Sequence, residues 1–377
     1  MAIQFVMQRP LLDQLKRMWM LLLCGLGFFT GVAHAGYASI VIDGSSGKVL
    51  NEVNADEPNY PASLTKMMTL YLTFQALKSG TLKIDQQLPV SAWAAGKAPT
   101  KLGLRPGQTI SVSDCILAMV TKSANDAATV VGEGLGGTES RFADMMNAQA
   151  ALLGMSRTHF DNASGLPDPR NKATARDLAN LAMALYRDFP QYDHYFATRE
   201  FMFRGEMVRG HNRLMYRYPG MDGLKTGFTD ASGFNLASTA VRDGHRLFAV
   251  VLGGRTAAAR DNLMARLLDD GFDHRDTPAI LVAEAAGVTV HGKMAHRVLA
   301  ALSPIGTAEA EPVPATVHHY VHHHRRSKSV MVARAACTRH RHVSCSPVRH
   351  HAHHPRKSAV KLARRNVKKP VSVASSR

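Results

Sequence analysis

Three short strings, in order along the chain, contain side chains that could carry out acyl transfer: Ser63-Leu-Thr-Lys66, Ser123-Ala-Asn125 and Lys225-Thr-Gly227. A serine hydroxyl is a weak nucleophile until a nearby base removes its proton, and residues three apart on a helix share a face. Lys66 could therefore serve as the base for Ser63. Its amine must then be neutral, which requires desolvation and a nearby positive charge, and Lys225 is the expected source of that charge.

The other members of the strings suit the handling of a peptide substrate. Ser123 could pass a proton to a leaving amine, and Asn125 could hold a substrate amide. Lys225 and Thr226 could bind a terminal carboxylate, while Gly227 would let a substrate backbone lie against a strand. These steps need no cofactor, and no metal site is expected among these residues.

Hydrophobic periodicity predicts that the first string begins a helix. Apolar residues recur at helical spacing over 64–77, and Gly80 ends the run. Ser63 is therefore predicted to open this helix, with Lys66 on its first turn. The backbone N–H of a residue at a helix start is free, so that of Ser63 could form half of an oxyanion hole.

The second and third strings fall on other kinds of element. A helix predicted over 113–120 is interrupted and resumes from Asp126, which places the second string on a turn where side chains can project into a cleft. The third string lies on a strand predicted over 224–228. The three strings thus occupy a helix start, a turn between helices and a strand edge.

The remaining pattern predicts an α+β fold. A hairpin is expected over 38–55, two further strands over 233–241 and 246–252, and a covering helix over 256–270. Strands at both ends of the domain would form one antiparallel sheet flanked by helices, with a helical lobe inserted between them. A cleft between sheet and lobe is where the three strings would meet.

Each string alone is close to a chance match, and Ser358-Ala-Val-Lys361 repeats the spacing of the first. Their wider contexts are more specific: Pro61-Ala-Ser-Leu-Thr-Lys-Met-Met68, Ser123-Ala-Asn-Asp-Ala127 and Asp222-Gly-Leu-Lys-Thr-Gly-Phe-Thr229. Together with Phe160-Asp-Asn-Ala-Ser-Gly-Leu166, this set resembles the low-molecular-weight penicillin-binding proteins, the serine D-alanyl-D-alanine carboxypeptidases. The similarity covers about residues 37 to 275.

The resemblance implies a fold of the β-lactamase and penicillin-binding transpeptidase type and an enzyme that removes the terminal D-Ala of peptidoglycan pentapeptides. It also implies a periplasmic location and covalent inhibition by β-lactam antibiotics. By resemblance, Ser63 would be the nucleophile and Lys66 the base. The second string would complete the catalytic group, Lys225 with Thr226 and Gly227 would bind substrate, and the backbone amide of Phe228 would be the second oxyanion donor.

Several alternatives stay open. Phe228 follows Gly227 where several carboxypeptidases have His, and an endopeptidase branch also has Phe, so a D,D-endopeptidase that opens peptidoglycan cross-links is the main rival. A β-lactamase would need a group that activates water for deacylation. A non-catalytic homologue that only binds the cell wall is the remaining reading.

The first 35 residues have the pattern of a secretory signal. Basic residues precede an apolar run over 18–32, and Ala33-His-Ala35 fits a cleavage site, so the mature protein is expected to start near Gly36 and to be exported. A retained anchor and lipidation of Cys24 are the alternatives. Residues 36–275 would then form the catalytic domain.

The end of the chain differs sharply in composition. Residues 312–377 have no carboxylate side chain and contain fifteen Lys and Arg, out of a net charge of +17 for the whole chain. We expect a helix or linker over 276–302 and disorder over 303–377. This tail could bind an anionic wall polymer or lipid surface, capture metal through His318–His324, or be a solvated extension. A nucleic-acid partner is not expected for an exported protein.

The cysteines do not constrain the fold. Cys115 lies in an apolar string and is predicted to pack in the core. Cys337 and Cys345 fall in the tail, and whether they pair is open.

Overall fold

The computed structural model describes residues 36–288. The predicted signal segment over 1–35 lies outside the described residues. So does the predicted disordered tail, with its histidine runs and with Cys337 and Cys345. Within 36–288, no helix has the length and apolar character needed to cross a membrane.

A five-stranded antiparallel sheet organises the described chain. Its strands, in chain order, are β1 (Ala38–Asp43), β2 (Val49–Val53), β7 (Met221–Thr229), β8 (Gly233–Arg242) and β9 (His245–Gly254). Their order across the sheet is β2-β1-β9-β8-β7, so both ends of the chain segment contribute. This arrangement confirms the predicted α+β fold.

Four short strands form two separate antiparallel pairs. These are β3 (Gln87–Pro89) with β4 (Thr109–Ser111), and β5 (Glu200–Phe203) with β6 (Glu206–Arg209). The sequence pattern did not predict them, because strands of three or four residues carry too few alternating positions to be recognised.

The helices lie on both faces of the large sheet or in the inserted lobe. In chain order they are α1 (Lys66–Ser79), α2 (Ala92–Ala95), α3 (Val112–Val120), α4 (Asn125–Gly136), α5 (Glu139–Leu152), α6 (Ala175–Asp188), α7 (Ala257–Phe272) and α8 (Ala279–Ala285). The predicted helix or linker over 276–302 is helical only at 279–285 within the part that the structure describes.

Side chains of β1 alternate between two cores because successive residues of a strand point to opposite faces. Ile40 and Ile42 belong to the large core shared with α1 and α6. Val41 belongs to a second core that α7 and α8 cover with Leu263 and Val282. The sheet is therefore buried on both faces, and its edge strand β7 forms one wall of the cleft.

The predicted end of the first helix is confirmed, and a side-chain cap marks the start of a later helix. Gly80 ends α1 in the left-handed conformation, which a glycine adopts without a Cβ penalty. The Thr174 side chain accepts a hydrogen bond from the Asp177 backbone N–H at the start of α6. Cys115 is fully buried in the core, as predicted.

Candidate active site

A cavity of about 530 Å³ lies between the helical lobe and β7, and residues from all three strings line it. The lining residues include Ser63, Ser123, Asn125, Thr226, Gly227 and Phe228. Lys66 and Lys225, at 0% and 1% exposure, are buried beside these residues. The structure therefore brings all eight predicted site residues to one cleft.

Ser63 lies in a 3₁₀ turn, Ala62–Thr65, that continues directly into α1. The predicted helix start is thus a tighter turn, and Lys66 is the first residue of the α-helix. Asn235, on β8, donates hydrogen bonds to the carbonyl oxygens of Tyr60 and Pro61 at 2.9 and 3.2 Å. This buried amide ties the segment before Ser63 to the sheet.

Two non-glycine residues at the cleft have a positive φ. Ala62, directly before the serine, has φ 49°, and Ser123 has φ 60°. Such conformations cost free energy for residues with a Cβ, and they concentrate at functional sites.

Lys66 is held by contacts on three sides. Its Nζ lies 3.1 Å from Ser63 Oγ, and it donates hydrogen bonds to Asn125 Oδ1 at 2.7 Å and to the backbone carbonyl of Ser164 at 2.6 Å. A neutral amine has two N–H bonds and one lone pair. In the neutral form, N–H bonds directed at these two acceptors would leave the lone pair for the Ser63 hydroxyl.

Burial also favours the neutral form of this amine. Desolvation lowers the pKa of Lys66 well below its usual value, and the charge of Lys225 lowers it further, while Asp126 acts in the opposite direction. Lys225 is therefore the neighbouring cation that the sequence predicted. Its own pKa is lowered to about 7 by burial and by Arg260.

Carbonyl groups in the loop between α2 and β4 hold the second string in place. Asn125 donates from Nδ2 to the carbonyl of Ala98 at 2.9 Å, and its backbone N–H donates to the carbonyl of Thr100 at 2.7 Å. Ser123 is 4% exposed, and its Oγ has no hydrogen-bond partner among the described residues. A buried, unpaired hydroxyl at a cleft is suited to accept a partner from a bound molecule.

The segment over 160–166 forms the third side of the Lys66 site. Asn162 Oδ1 accepts hydrogen bonds from the backbone N–H groups of Ser164, Gly165 and Leu166. Gly165 has φ 79°, and a Cβ there would overlap the carbonyl oxygen of Ala62. The tight loop therefore brings the Ser164 carbonyl to Lys66. Sequence reasoning assigned no role to this carbonyl, because a backbone atom leaves no residue signature.

The strand wall of the cleft, formed by β7, has fewer side-chain hydrogen bonds than the helical side. Lys225 Nζ donates to the carbonyl of Thr226 at 2.7 Å. A Cβ added to Gly227 would lie 3.1 Å from the Ser63 backbone nitrogen, so a glycine keeps this N–H accessible. Phe228 is 50% exposed, and its ring lies 4.3 Å from that of Phe234 between centroids.

Two of the lining residues that the sequence did not predict carry titratable groups of interest, His211 and Asp230. His211 lies between β6 and β7, and its pKa is lowered by burial and by nearby cations, of which Lys225 is the strongest. Asp230, which is exposed, is the only carboxylate among the residues that line the cavity in the described part of the chain. No motif marked either residue, and only the fold places them at the cleft.

Comparison with known proteins agrees with this geometry. The chain matches the profile of the D-alanyl-D-alanine carboxypeptidase family over residues 30–256. It is 38% identical over 259 residues to D-alanyl-D-alanine carboxypeptidase DacC of Escherichia coli, covering 67% of this chain and 65% of that protein. To DacA of Escherichia coli it is 38% identical over 245 residues, covering 63% and 61%. The chain thus spans less than two thirds of the length of these curated relatives.

Solved structures show the same fold. Penicillin-binding protein 5 from Haemophilus influenzae superposes with a TM-score of 0.61 at 30% identity, covering 66% of this chain and 73% of that one. A penicillin-binding protein from Listeria monocytogenes, solved in its ampicillin-bound form, has a TM-score of 0.56 at 35% identity, covering 62% and 96%.

Proposed function

The chain belongs to the D-alanyl-D-alanine carboxypeptidase family, and on this premise we propose that it is a serine D,D-carboxypeptidase. It removes the terminal D-Ala from peptidoglycan pentapeptide stems through an acyl-serine intermediate. The observation that carries the proposal is the position of Lys66: its buried amine lies 3.1 Å from Ser63 Oγ and also donates to Asn125 Oδ1 and to the Ser164 carbonyl.

In the first step, the lone pair of neutral Lys66 takes the proton of the Ser63 hydroxyl. Ser63 Oγ then forms a bond to the carbonyl carbon of the penultimate D-Ala. The backbone N–H groups of Ser63 and Phe228 hold the resulting oxyanion. Desolvation lowers the pKa of Lys66, which favours the neutral amine that this proton transfer requires.

In the second step, the tetrahedral intermediate collapses and the C–N bond breaks. The leaving amine of D-Ala receives the proton from Lys66, relayed by the Ser123 hydroxyl, whose Oγ has no other partner among the described residues. Asn125 holds the peptide amide of the bound stem. Water then attacks the acyl-enzyme, with Lys66 again as base, and releases the shortened peptide and free Ser63.

Lys225 and Thr226 bind the carboxylate of the terminal D-Ala. The free amine of Lys225 has a pKa of about 7, and a bound carboxylate raises it by stabilising the ammonium. A penicillin carries both a carboxylate and a reactive amide, so it would enter the same cleft and acylate Ser63. The ampicillin-bound form of the Listeria relative supports this expectation.

A second candidate activity is D,D-endopeptidase cleavage of peptidoglycan cross-links. The half-exposed ring of Phe228, stacked on Phe234, borders the 530 Å³ cavity and offers an apolar surface to a leaving group larger than D-Ala. For a β-lactamase the support is weaker, because Asp230, the one carboxylate lining the cavity among the described residues, is exposed rather than held for water activation.

Export to the periplasm follows from the substrate, because peptidoglycan lies outside the cytoplasmic membrane, and the signal pattern over 1–35 supports it. The cationic segment over 312–377 would add electrostatic attachment to an anionic wall polymer or lipid surface. Deleting residues 303–377 should then weaken binding to isolated cell walls at low salt and leave peptide hydrolysis unchanged.

The activity itself is tested with the mature protein and Ser63→Ala. We expect the wild type to take a fluorescent penicillin covalently and to release D-Ala from a pentapeptide, and the variant to do neither. A wild type that takes no label and releases no D-Ala contradicts the proposal and favours a non-catalytic wall-binding protein. Faster opening of cross-linked dimers than trimming of pentapeptides selects the endopeptidase, and rapid turnover of penicillin selects a β-lactamase.

A further inference from the structure

A buried carboxylate outside the three strings accepts hydrogen bonds from three separate segments of the helical lobe. Glu139, at the start of α5, forms an ion pair with Lys97 through Oε2, which also accepts from Trp93 Nε1 at 2.7 Å. Its Oε1 accepts from Thr129 Oγ1 at 3.2 Å and from the Ala163 backbone N–H at 3.3 Å. Both carboxylate oxygens are therefore fully used.

The residues that follow two of these donors make contacts in the cleft. Ala98 follows the ion-paired lysine, and its carbonyl accepts the Asn125 side-chain amide at 2.9 Å. Ser164 follows the alanine, and its carbonyl accepts Lys66 Nζ at 2.6 Å. One carboxylate thus ties down both chain segments that position the acceptors of the Lys66 amine.

These acceptors decide where the lone pair of Lys66 points. The amine donates to Asn125 Oδ1 and to the Ser164 carbonyl, so a shift of either acceptor rotates the lone pair away from Ser63 Oγ. Displacements of about 1 Å caused by a change far from the reacting atoms can cost on the order of 10²-fold in rate.

The presence of a buried ion pair between Lys97 and Glu139, where apolar side chains could pack instead, also needs a physical explanation. Burying an ion pair costs desolvation, and apolar residues of similar volume often stabilise a fold as well or better. The side chains of Lys97 and Glu139 are only 10% and 8% exposed, and the Trp93 ring covers the ammonium at 3.9 Å from its centroid. The shielded pair has directional hydrogen bonds, which an apolar contact lacks.

We propose that Lys97 and Glu139 are positioning residues for the acyl transfer: their ion pair holds the Ala98 and Ser164 carbonyls where Asn125 and Lys66 need them. The inference rests on the proposed function of the cleft. Thr69 Oγ1 also donates to the Ala163 carbonyl, at 2.6 Å, so loss of the pair should loosen the segment rather than release it.

The test measures acylation of the full mature chain by a fluorescent penicillin, with the maximal rate k2 and the dissociation constant K determined separately. Glu139→Gln removes the negative charge, and in either orientation its NH2 group faces donors that the carboxylate had accepted, so the ion pair is broken. We expect k2 to fall between about tenfold and a hundredfold. K should stay within about twofold, because the Lys225 strand is not altered.

A double variant separates positioning from folding. Glu139→Gln with Lys97→Met leaves no unpaired buried charge, so its thermal unfolding should return toward that of the wild type, while k2 stays at least tenfold low. As a matched control, Asp270→Asn removes another fully buried carboxylate, which contacts Arg266 and Thr277 away from the cleft. This control should lose stability and keep its k2.

Rates are counted per labelled site, so an unfolded fraction does not enter them. Wild-type k2 in the folded double variant, or an equal loss of k2 in Asp270→Asn, would overturn the positioning role and leave a stabilising pair. A wild type that takes no label at all is a different result, because it contradicts the proposed function itself.

Discussion

The two walls of the cleft each present a buried lysine, but they hold it in different ways. On the helical wall, Lys66 Nζ contacts Ser63 Oγ, Asn125 Oδ1 and the Ser164 carbonyl. On the strand wall, Lys225 Nζ donates to the carbonyl of its own neighbour, and within residues 36–288 no second hydrogen bond engages it. The first amine is fixed in direction, and the second keeps donors for an incoming anion.

Because their contacts differ, two lysine side chains in one cleft can serve two different functions. Burial lowers the pKa of both lysines. A substrate carboxylate can restore the charge of Lys225, whereas Lys66 lies among neutral acceptors and beside that same cation. We therefore expect Lys66 to work as a neutral base and Lys225 as a cation once substrate is bound, and four predictions test this division.

The largest effect is expected for Lys66→Met, which removes the base and keeps the length of the side chain. Acylation of Ser63 by penicillin should slow by on the order of 10³ to 10⁴-fold, as for the loss of a general base. The dissociation constant of the unreacted penicillin should change little, because the strand wall is intact. Pre-steady-state labelling measures both, and a loss below tenfold would break the assignment.

Gly227→Ala tests the junction between the walls. The new Cβ would lie 3.1 Å from the Ser63 nitrogen and would crowd the proposed oxyanion hole. We expect kcat to fall by about 10² to 10³-fold, the range for losing one oxyanion donor. Gly134→Ala is the matched control, since its Cβ would meet only the flexible side chain of Leu88, and its kcat should equal that of the wild type.

Lys225→Met should affect binding more than chemistry. Loss of a charge-assisted hydrogen bond of about 1.5 to 3 kcal/mol should raise KM for a pentapeptide by roughly 10 to 100-fold. A substrate analogue with an amide in place of the terminal carboxylate should bind wild type and variant with similar KM. If the variant instead lost activity equally on both substrates, Lys225 would not be the carboxylate site.

The smallest expected effect concerns stability against pH. Lys225 has a folded pKa of about 7, below the ordinary value of 10.5, so between these values the unfolded chain binds more protons than the folded one. The free energy of unfolding should then rise as pH increases from 7 toward 10. Lys225→Met should be more stable than wild type at pH 7, by roughly 1 to 3 kcal/mol, with the gap narrowing at high pH.

Urea unfolding at several pH values measures this difference. A gap between Lys225→Met and the wild type that does not change with pH would show that Lys225 is not shifted in the folded protein.

Most of the main secondary-structure elements could be predicted from the sequence. The five strands of the large sheet and the helices that begin near Ser63, Val112 and Ala257 follow from periodicity and helix-end signals, which are local properties. The β5–β6 hairpin and the helix α5 were missed. Strands of four residues carry too weak a pattern, and α5 mixes apolar and polar residues without a clear stripe.

The candidate site also has some features that the sequence predicted and others that it did not. The predicted residues meet at one cleft, because their strings lie on elements that the pattern could place. The roles of the Ala98 and Ser164 carbonyl groups could not be predicted from the sequence, because every residue has such a group. Glu139 and His211 were not accessible either, since a single Glu or His on an unrecognised segment has no distinguishing neighbours.

The amino-acid sequence is sufficient to predict the pairing of Ser63 with Lys66 and the elements that carry the three strings. Three residues of separation on a helix bring two side chains together whatever the rest of the chain does. The burial of Lys66 depends on the tertiary structure. So do the hydrogen bonds of its amine to acceptors 59 and 98 residues away in the chain. The tertiary structure also left Ser123 Oγ without a partner among the described residues. Burial and distant contacts depend on how whole elements pack, and these contacts set the pKa of Lys66 and the direction of its lone pair.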